Sequence, residues 1–268
     1  MSVQTLYTAA TGMDALETKL DVIANNLANV NTTAFKEDRA NFQDLFYRQI
    51  RYPGALDADG NITSTGVEVG LGARVSSTQT NYEQGAFETT NRPLDLAIEG
   101  DGFFRVTDAT NGGTLYSRAG NFGINANNQV VLGSAQNGLV IDPPISIPIE
   151  ATNIVITTDG QVQYSTASDP SLQNAGQILL SQFLNPDGLI KLGDNLYRQT
   201  DASSFPVDGL PGSNGMGTVR QGVLEASNVQ PVQELIDLIT TQRAFELNSQ
   251  VVQTGDQIMQ VASNLRRY

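Results

Sequence analysis

The sequence predicts an α+β protein in which long N- and C-terminal helices flank an all-β middle. Apolar residues step by three and four at both ends of the chain, which is the period of a helix that buries one stripe. Between the ends, short β-branched and aromatic runs alternate with turn signals such as Asp159-Gly160. With 268 residues, 40% of them hydrophobic, the chain is long enough to bury a core.

The N-terminal helix is predicted from about Gln4 to Val30. No proline occurs before Pro53, so nothing interrupts the hydrogen-bond ladder of this segment. Asn and Thr side chains at 29–33 compete for backbone hydrogen bonds and are expected to end the helix. The apolar seam of this helix, a stripe at alternating spacings of three and four, consists of Leu6, Ala9, Met13, Leu16, Leu20, Ile23, Leu27 and Val30.

The middle of the chain is predicted to be all-β, and a loop from Ser203 to Gly217 leads back to the C-terminal helix. The dipeptides Asp59-Gly60, Asn137-Gly138 and Asp187-Gly188 can each supply the positive φ of a hairpin turn. The predicted strand-bearing ranges are 67–84, 94–106, 114–122, 129–132, 139–149, 154–164, 177–184 and 189–199.

The C-terminal helix is predicted from about Val229 to Arg266. Ser227 and Asn228 are its expected N-caps, and Pro231 falls in the first turn, where its missing N–H costs nothing. The seam of this helix has a phase slip near Arg243. Its residues are Val229, Val232, Ile236 and Ile239 before the slip, and Leu247, Val251, Thr254, Ile258, Val261 and Leu265 after it.

The composition excludes several classes of chemistry. The chain has no histidine, cysteine or tryptophan. It therefore has no Ser-His-Asp or Cys-His nucleophile, no disulfide, and no zinc, copper or haem site with the usual ligands. We expect no cofactor, no metal and no catalytic residue. The chain also carries 28 acids against 15 bases, with no cluster of bases, so nucleic acid is not an expected partner.

The net charge of -13 is concentrated in the middle of the chain. Residues 53–219 contain six bases and seventeen acids, whereas each end is close to neutral. No window approaches 18 apolar residues, so no membrane span is predicted. The N-terminus also lacks the cationic and apolar regions of a cleaved signal peptide.

One functional class that the sequence leaves open is a calcium-stabilised extracellular fibre or adhesin subunit. Asp57, Asp59, Asn61 and Glu68 fall at ligand positions of a twelve-residue calcium loop. The sixth position of such a loop makes a sharp turn, and here it is Ile62, a β-branched residue that disfavours positive φ. An acidic surface hairpin is the favoured interpretation of this segment.

A carbohydrate-acting β-domain enzyme is the second alternative. Asp95, Glu99 and Asp101 share one strand parity and could line one face, as the paired carboxylates of glycoside hydrolases do. The residues of opposite parity are aliphatic, which is the ordinary pattern of a half-buried strand. The pattern therefore favours a structural strand over a catalytic one.

Three sequence motifs cover the two ends and part of the middle of the chain. The first is TGMDALETKLDVIANNLANVNTTAFKEDRANFQDLFY at 11–47. The second comprises GVLEASNV at 222–229 and TTQRAFELNSQVVQTGDQIMQ at 240–260, and the third is RPLDLAIEGDGFFRV at 92–106. In this order they resemble the N-terminal, C-terminal and central signatures of the bacterial flagellar rod and hook family. The chain length and the stretch 50–75 are most similar to the distal rod members. One departure is Ala34, where the family usually has glycine.

This resemblance implies an axial structural protein without enzymatic activity. Segments 1–32 and 227–268 would form a coiled-coil inner tube, and 76–217 would form an all-β outer domain. Segments 33–75 and 218–226 would form a connecting region with a long hairpin. The implied location is the periplasmic rod of the basal body, crossing towards the outer membrane, reached without a cleaved signal peptide.

The resemblance also implies partners and an interface. The partners are further copies of the chain in a helical homopolymer, proximal rod proteins, the hook protein or hook junction, the surrounding P- and L-ring proteins, and the flagellar type III export apparatus. The predicted self-assembly interface combines the two seams with aromatic residues of the connecting region. Its members are Leu6, Met13, Leu16, Leu20, Ile23, Leu27, Val30, Phe35, Phe42, Ile236, Ile239, Leu247, Val251, Ile258, Val261 and Leu265.

Overall fold

The computed structural model describes residues 3–54, 64–108, 113–133 and 138–265. These residues form a mixed α+β fold with a helix at each end of the chain, as predicted. The chain divides into two compact units, each of which combines segments that are distant in sequence. Unit 1 comprises Met1–Ala28, Asp38–Thr80 and Gln230–Tyr268, and unit 2 comprises Asn29–Glu37 and Asn81–Val229.

Unit 1 contains both helices. Helix α1 spans Val3–Ala28 and helix α2 spans Pro231–Leu265, so the periodicity located their ends to within about two residues. Pro231 is the first residue of α2, and the carbonyl of Gln230 accepts the first helical hydrogen bond. The N-cap position therefore belongs to Gln230, and the two N-caps predicted at 227 and 228 are wrong.

The two helices contact one another in an antiparallel arrangement. Near the start of α1, a β-carbon added at Gly255 would collide with Leu6. In the middle, a β-carbon at Gly12 would lie 3.3 Å from the Asn248 amide nitrogen. At the end of α1, Asn26 meets α2 near its first turn. Small residues therefore permit close approach of the two backbones.

Two nested antiparallel ribbons complete unit 1. Strand β1 (Asp38–Asp44) pairs with β4 (Ala73–Thr80), and β2 (Tyr47–Arg51) pairs with β3 (Val67–Gly70). Strands β1 and β4 pack on α1. Gly72 lies between the two ribbons at a φ of +124°, and a β-carbon there would collide with a threonine of α1. Glycine is required at this position for both reasons.

Unit 2 is built from sixteen of the strands in the described residues and one short 3-10 helix. Its first eight strands are β5 (Phe87–Thr89), β6 (Leu96–Glu99), β7 (Phe103–Thr107), β8 (Thr114–Ser117), β9 (Phe122–Ile124), β10 (Val130–Leu132), β11 (Val140–Ile141) and β12 (Ala151–Ile156). The others are β13 (Gln161–Thr166), β14 (Gln173–Gln177), β15 (Leu180–Gln182), β16 (Ile190–Gly193), β17 (Leu196–Arg198), β18 (Val207–Gly209), β19 (Thr218–Gln221) and β20 (Val223–Glu225).

A nine-stranded sheet forms the centre of unit 2. Its main path runs β16-β17-β8-β7-β11-β10-β9, and β15 joins it to β18. A three-stranded sheet of β12, β13 and β14 and the pairs β6-β19 and β5-β20 pack around it. The core contains buried aliphatic side chains together with Phe104 and Phe122, whose rings meet edge to face at 5.1 Å. A second cluster gathers Phe103, Tyr116 and Phe183.

The prediction of an all-β middle needs two corrections. Pro186–Gly188 forms a 3-10 helix, where a hairpin turn was predicted at Asp187-Gly188. Proline fixes the φ that a helical turn needs, and Gly188 does not adopt positive φ. The predicted loop at 203–217 also contains a strand, β18, whose sequence Val-Asp-Gly is too short to give a periodic signal.

Candidate self-assembly surface

Helix α2 exposes most of its apolar side chains. Leu247 is 62% exposed, and Val232, at 71%, is more exposed still. The other exposed apolar residues of α2 are Leu235, Ile236, Ile239, Val251, Ile258, Met259 and Val261. We call this set, without Met259, the α2 stripe; Met259 is five full turns from Thr241 and lies on the side of the helix that Thr241 occupies. Leu265 is the last residue of α2, and its side chain lies outside the described part of the chain.

The face of α2 that is buried consists instead of polar and small residues. Glu234, Thr241 and Gly255 are buried, and Asn248 is half-buried. These positions are seven residues apart and therefore lie along one side of the helix. The buried amide of Asn26 donates to Glu234 Oε1 at 3.3 Å. Within one chain, α1 thus contacts the polar side of α2, and the α2 stripe remains uncovered.

The apolar seam of helix α1 is less exposed than the α2 stripe. Ala9 and Ile23 of the predicted seam are buried, and so is Ala15, which was not predicted as a member. The remaining predicted members lie half-buried, so part of each side chain faces solvent; they are Leu6, Met13, Leu16, Leu20, Leu27 and Val30, the last just beyond the helix. A seam that is half covered in one chain retains apolar area for contacts with other molecules.

The paired ribbons of unit 1 form a second exposed apolar surface. All five residues of β2 are exposed, so both faces of this strand are uncovered. Phe46, which precedes it, is 87% exposed, and Phe42 of β1 is also exposed. Tyr47, Ile50, Tyr52, Val67, Val69 and Leu71 extend the same surface. Phe35 lies elsewhere: it is half-buried in unit 2, where the ammonium of Lys191 stands 5.5 Å from its ring centre.

A buried charge cluster in unit 2 was not foreseen from the sequence. The Glu225 carboxylate accepts hydrogen bonds from Lys36 Nζ at 2.6 Å, Arg118 Nε at 2.9 Å and the Gly85 backbone N–H at 3.0 Å. All three charged residues are at most 6% exposed. Arg118 donates further to the carbonyls of Gly102 and two neighbours. The donors are therefore satisfied within unit 2.

The electrostatics of this cluster keep the carboxylate ionised. Burial by itself raises the pKa of Glu225, but the charges of Arg118 and Lys36 together outweigh burial and hold that pKa below its ordinary value. Burial also lowers the pKa of Lys36, because the ammonium loses its hydration, and attraction to Glu225 offsets only part of this effect. The cluster joins three segments that are far apart in sequence.

Asn228 is another residue whose role the sequence did not reveal. Its Oδ1 accepts the Glu37 backbone N–H at 2.8 Å, and its Nδ2 donates to the carbonyls of Asn81 at 2.8 Å and Glu83 at 3.1 Å. These bonds explain why Asn228 does not cap α2. The signal available beforehand was its place inside the family signature GVLEASNV, which does not specify a role.

Most of the predicted calcium loop lies outside the described residues, including Asp57, Asp59, Asn61 and Ile62. Its last residue, Glu68, accepts a hydrogen bond from the side chain of Gln49, its cross-strand partner in β2. Within the described ranges, no group of three or more acidic residues is placed to hold a metal ion.

The three acids proposed for carbohydrate chemistry are not gathered on one open face. Asp95 is buried, whereas Glu99 and Asp101 are exposed. Glu99 forms a surface ion pair with Arg220 at 3.7 Å across β6 and β19. Strand β6 is buried on both faces up to its last residue, so its aliphatic pattern reflects core packing. In the described part of the chain, neither helix is apolar enough over 18 residues to cross a membrane.

Three family models match this chain. The model described as flagella basal body rod protein matches residues 6–36. The flagellar hook protein FlgE/F/G D1 domain matches 97–164, and the flagellar basal body rod FlgEFG protein C-terminal matches 220–265. These matches cover most of α1, the whole of α2 with its apolar stripe, and part of unit 2.

Known proteins align with the chain over its whole length. The flagellar basal-body rod protein FlgG of Caulobacter vibrioides is 45% identical over 98% of this chain and 100% of its own. The FlgG proteins of Borreliella burgdorferi, 40% identical over 99% of both chains, and of Bacillus subtilis, 39% identical over 99% of this chain and 100% of its own, are similar as well. This chain therefore belongs to the flagellar basal-body rod protein family.

Proposed function

We propose that this chain is a structural, non-enzymatic subunit of the flagellar distal rod. Copies of it polymerise into a helical tubular drive shaft that transmits motor torque to the hook. The observation that carries the proposal is the α2 stripe, which lies exposed along a 35-residue helix. Burying such a stripe against further copies removes apolar area from water and stabilises the polymer.

In the polymer, segments 1–32 and 227–268 form a coiled-coil inner tube. The α1 seam and the α2 stripe keep the three-and-four spacing that knobs-into-holes packing uses, which supports contacts between helices of different copies. Segments 33–75 and 218–226 form the connecting region, and 76–217 form the outer domain. The two uncovered faces of β2 support a locking role for the connecting region.

The same proposal assigns the partners and the location. Proximal rod proteins and the hook protein or hook junction contact the two ends of the polymer, and the P- and L-ring proteins surround it. The acidic charge of 53–219 supports an outward-facing domain, because a hydrated acidic surface resists adhesion as the rod turns. In this proposal the flagellar type III apparatus exports the chain, and the rod lies in the periplasm.

Electron microscopy of the purified full chain tests this function. We expect the unaltered chain to form tubes at high concentration, and we expect Val251→Asp to abolish them, because a charge on the α2 stripe cannot be buried without a partner. Gln242→Asp is the matched control, since it adds the same charge to an exposed position of α2 that lies nine residues from Val251 and therefore on the opposite side of the helix. Failure of the unaltered chain to form tubes, or equal tubes from both variants, contradicts the proposal.

A further inference from the structure

Unit 2 contains an apolar groove that is open to solvent. Its cavity measures about 440 Å³, and its walls include Tyr82, Phe103 and Phe183. The rings of Tyr82 and Phe103 meet edge to face at 5.9 Å, and those of Phe103 and Phe183 do so at 5.8 Å. These contacts fix the aromatic walls. The groove is therefore a preformed site for a flat apolar side chain.

The mouth of the groove is also apolar. Leu184 and Val207 line it and are exposed, Leu184 by 88%. A leucine side chain exposed to this degree at the wall of a cavity is typical of a docking surface.

The accessible charge at this groove is negative. Asp101, which lines it, and Asp187, which follows the lining residue Pro186, are both exposed. Lys36 and Arg118 also line the cavity, but they are buried and paired with Glu225. A docking segment therefore meets the Asp101 carboxylate at the rim and aromatic rings inside, which favours an occupant that is apolar and basic.

One segment of the chain has this character. Residues 46–52, with the sequence FYRQIRY, contain three aromatic residues, one isoleucine, two arginines and no acid. Every residue of the segment is exposed, so its own chain does not cover it. The chain as a whole is strongly acidic, which makes this basic and apolar run complementary to the groove.

We propose that segment 46–52 of one copy docks in the groove of another copy, with an aromatic side chain entering the cavity and Arg48 or Arg51 facing the acidic rim. This inference rests on the proposed function, because it requires that copies assemble. It adds the receiving site for the connecting region. A segment and a groove on different parts of the same chain form a heterologous contact, which repeats without closing and so extends a helical polymer.

A labelled peptide of residues 45–54, LFYRQIRYPG, tests the contact by fluorescence anisotropy against the full chain at concentrations where ultracentrifugation shows monomers. We expect saturable binding that weakens as salt is added. A chain carrying Leu184→Ser and Val207→Ser, two exposed lining residues, should bind the peptide at least about tenfold more weakly, because the docked segment loses apolar contact. The control is Leu172→Ser, which removes an exposed leucine outside the groove lining.

Two further peptides test the electrostatic part of the contact. Arg48→Glu and Arg51→Glu in the peptide should weaken binding to the unaltered chain, whereas lysine at both positions should restore most of it. Absence of binding, or equal binding to the chain with both groove changes, overturns the docking proposal. If the unaltered chain still forms tubes in that case, the proposed rod function stands and only this contact is wrong.

Discussion

The two units of this protein differ in how many of their apolar side chains they bury. Among the described residues, unit 2 buries twenty-nine apolar side chains, whereas unit 1 buries only Ala9, Ala15 and Ile23. The large exposed hydrophobic side chains divide in the other direction, with eighteen in unit 1 and nine in unit 2. Unit 2 has a complete core of its own. Unit 1 leaves apolar side chains in water, and under the proposed function contacts with further copies cover them.

This difference explains why a long helix can exist with its apolar stripe in water. Helix stability in proteins comes mostly from packing of one face, and α2 packs its polar face on α1 through small residues and the Asn26–Glu234 hydrogen bond. This contact holds α2 against α1 but buries little of the apolar area of α2. Under the proposed function, assembly supplies the remaining stabilisation of α2.

The largest effect on the single chain is expected from Glu225→Ala in unit 2. Removing this carboxylate leaves Lys36 and Arg118 buried without their shared partner, which should lower the free energy of unfolding by about 5 kcal/mol. Urea unfolding followed by far-UV circular dichroism measures it. Glu99→Ala is the control, because its surface ion pair with Arg220 is worth at most about 1 kcal/mol. Equal losses from both changes would show that the cluster has no special role.

A somewhat smaller effect is expected from Phe104→Ala. Phe104 is fully buried and packs edge to face on Phe122, so its loss leaves a cavity and should cost about 4 kcal/mol in the free energy of unfolding. Phe205→Ala removes the same side chain from a position that is mostly exposed, and it should change the value by less than about 0.5 kcal/mol. Thermal and urea midpoints of both variants decide the comparison.

The pH dependence of unit 2 should be smaller again. The folded pKa of Glu225 lies below its ordinary value of 4.5, so the stabilisation it provides is complete above pH 4.5 and decreases as the pH falls through the lower folded value. The slope attributable to this group cannot exceed about 1.4 kcal/mol per pH unit. Urea titrations between pH 5 and 3 should show a shallower slope for Glu225→Gln than for the unaltered chain. A parallel slope would contradict the assignment.

The sequence predicted the secondary-structure elements better than the contacts that these elements make. Spacings of three and four identified both helices, and the dipeptide Asp159-Gly160 marked a hairpin, whereas Asp187-Gly188 did not; Asp59, Gly60 and Asn137 of the other two dipeptides lie outside the described residues. Periodicity shows which residues of α2 share a face, but it cannot show which face meets α1. The polar positions Glu234, Thr241 and Asn248 repeat with the same period as the apolar ones, and only the three-dimensional packing identifies them as the contact.

The buried charge cluster could not be derived from the sequence for a different reason. Lys36, Arg118 and Glu225 are far apart in the chain, and a charged residue is normally a surface residue.

The sequence pointed to Ala34 but did not explain it. The family pattern indicated that glycine usually occupies this position, and the structure gives the reason. Ala34 adopts a φ of +55°, a conformation that glycine adopts without strain, and its N–H donates to the Glu225 carbonyl at 2.8 Å.

The smallest effect on the single chain, and the sharpest test of the comparison, is expected from Leu247→Ala. Leu247 is mostly exposed, so the free energy of unfolding of the monomer should change by less than about 0.5 kcal/mol. If the α2 stripe is buried between copies, the same change removes apolar contact from every subunit of the polymer. The critical concentration for tube formation should then rise at least about tenfold.

Leu115→Ala in unit 2 provides the matched comparison, because Leu115 is buried. It should lower the free energy of unfolding by about 2 to 3 kcal/mol while leaving the critical concentration nearly unchanged at temperatures where the chain stays folded. Sedimentation of tubes at a series of concentrations, alongside urea unfolding of the monomers, gives both quantities for both variants. If Leu247→Ala instead destabilised the monomer and spared assembly, the α2 stripe would belong to the core of the single chain. The contrast between the two units would then be wrong, because α2 would already be completed within one molecule.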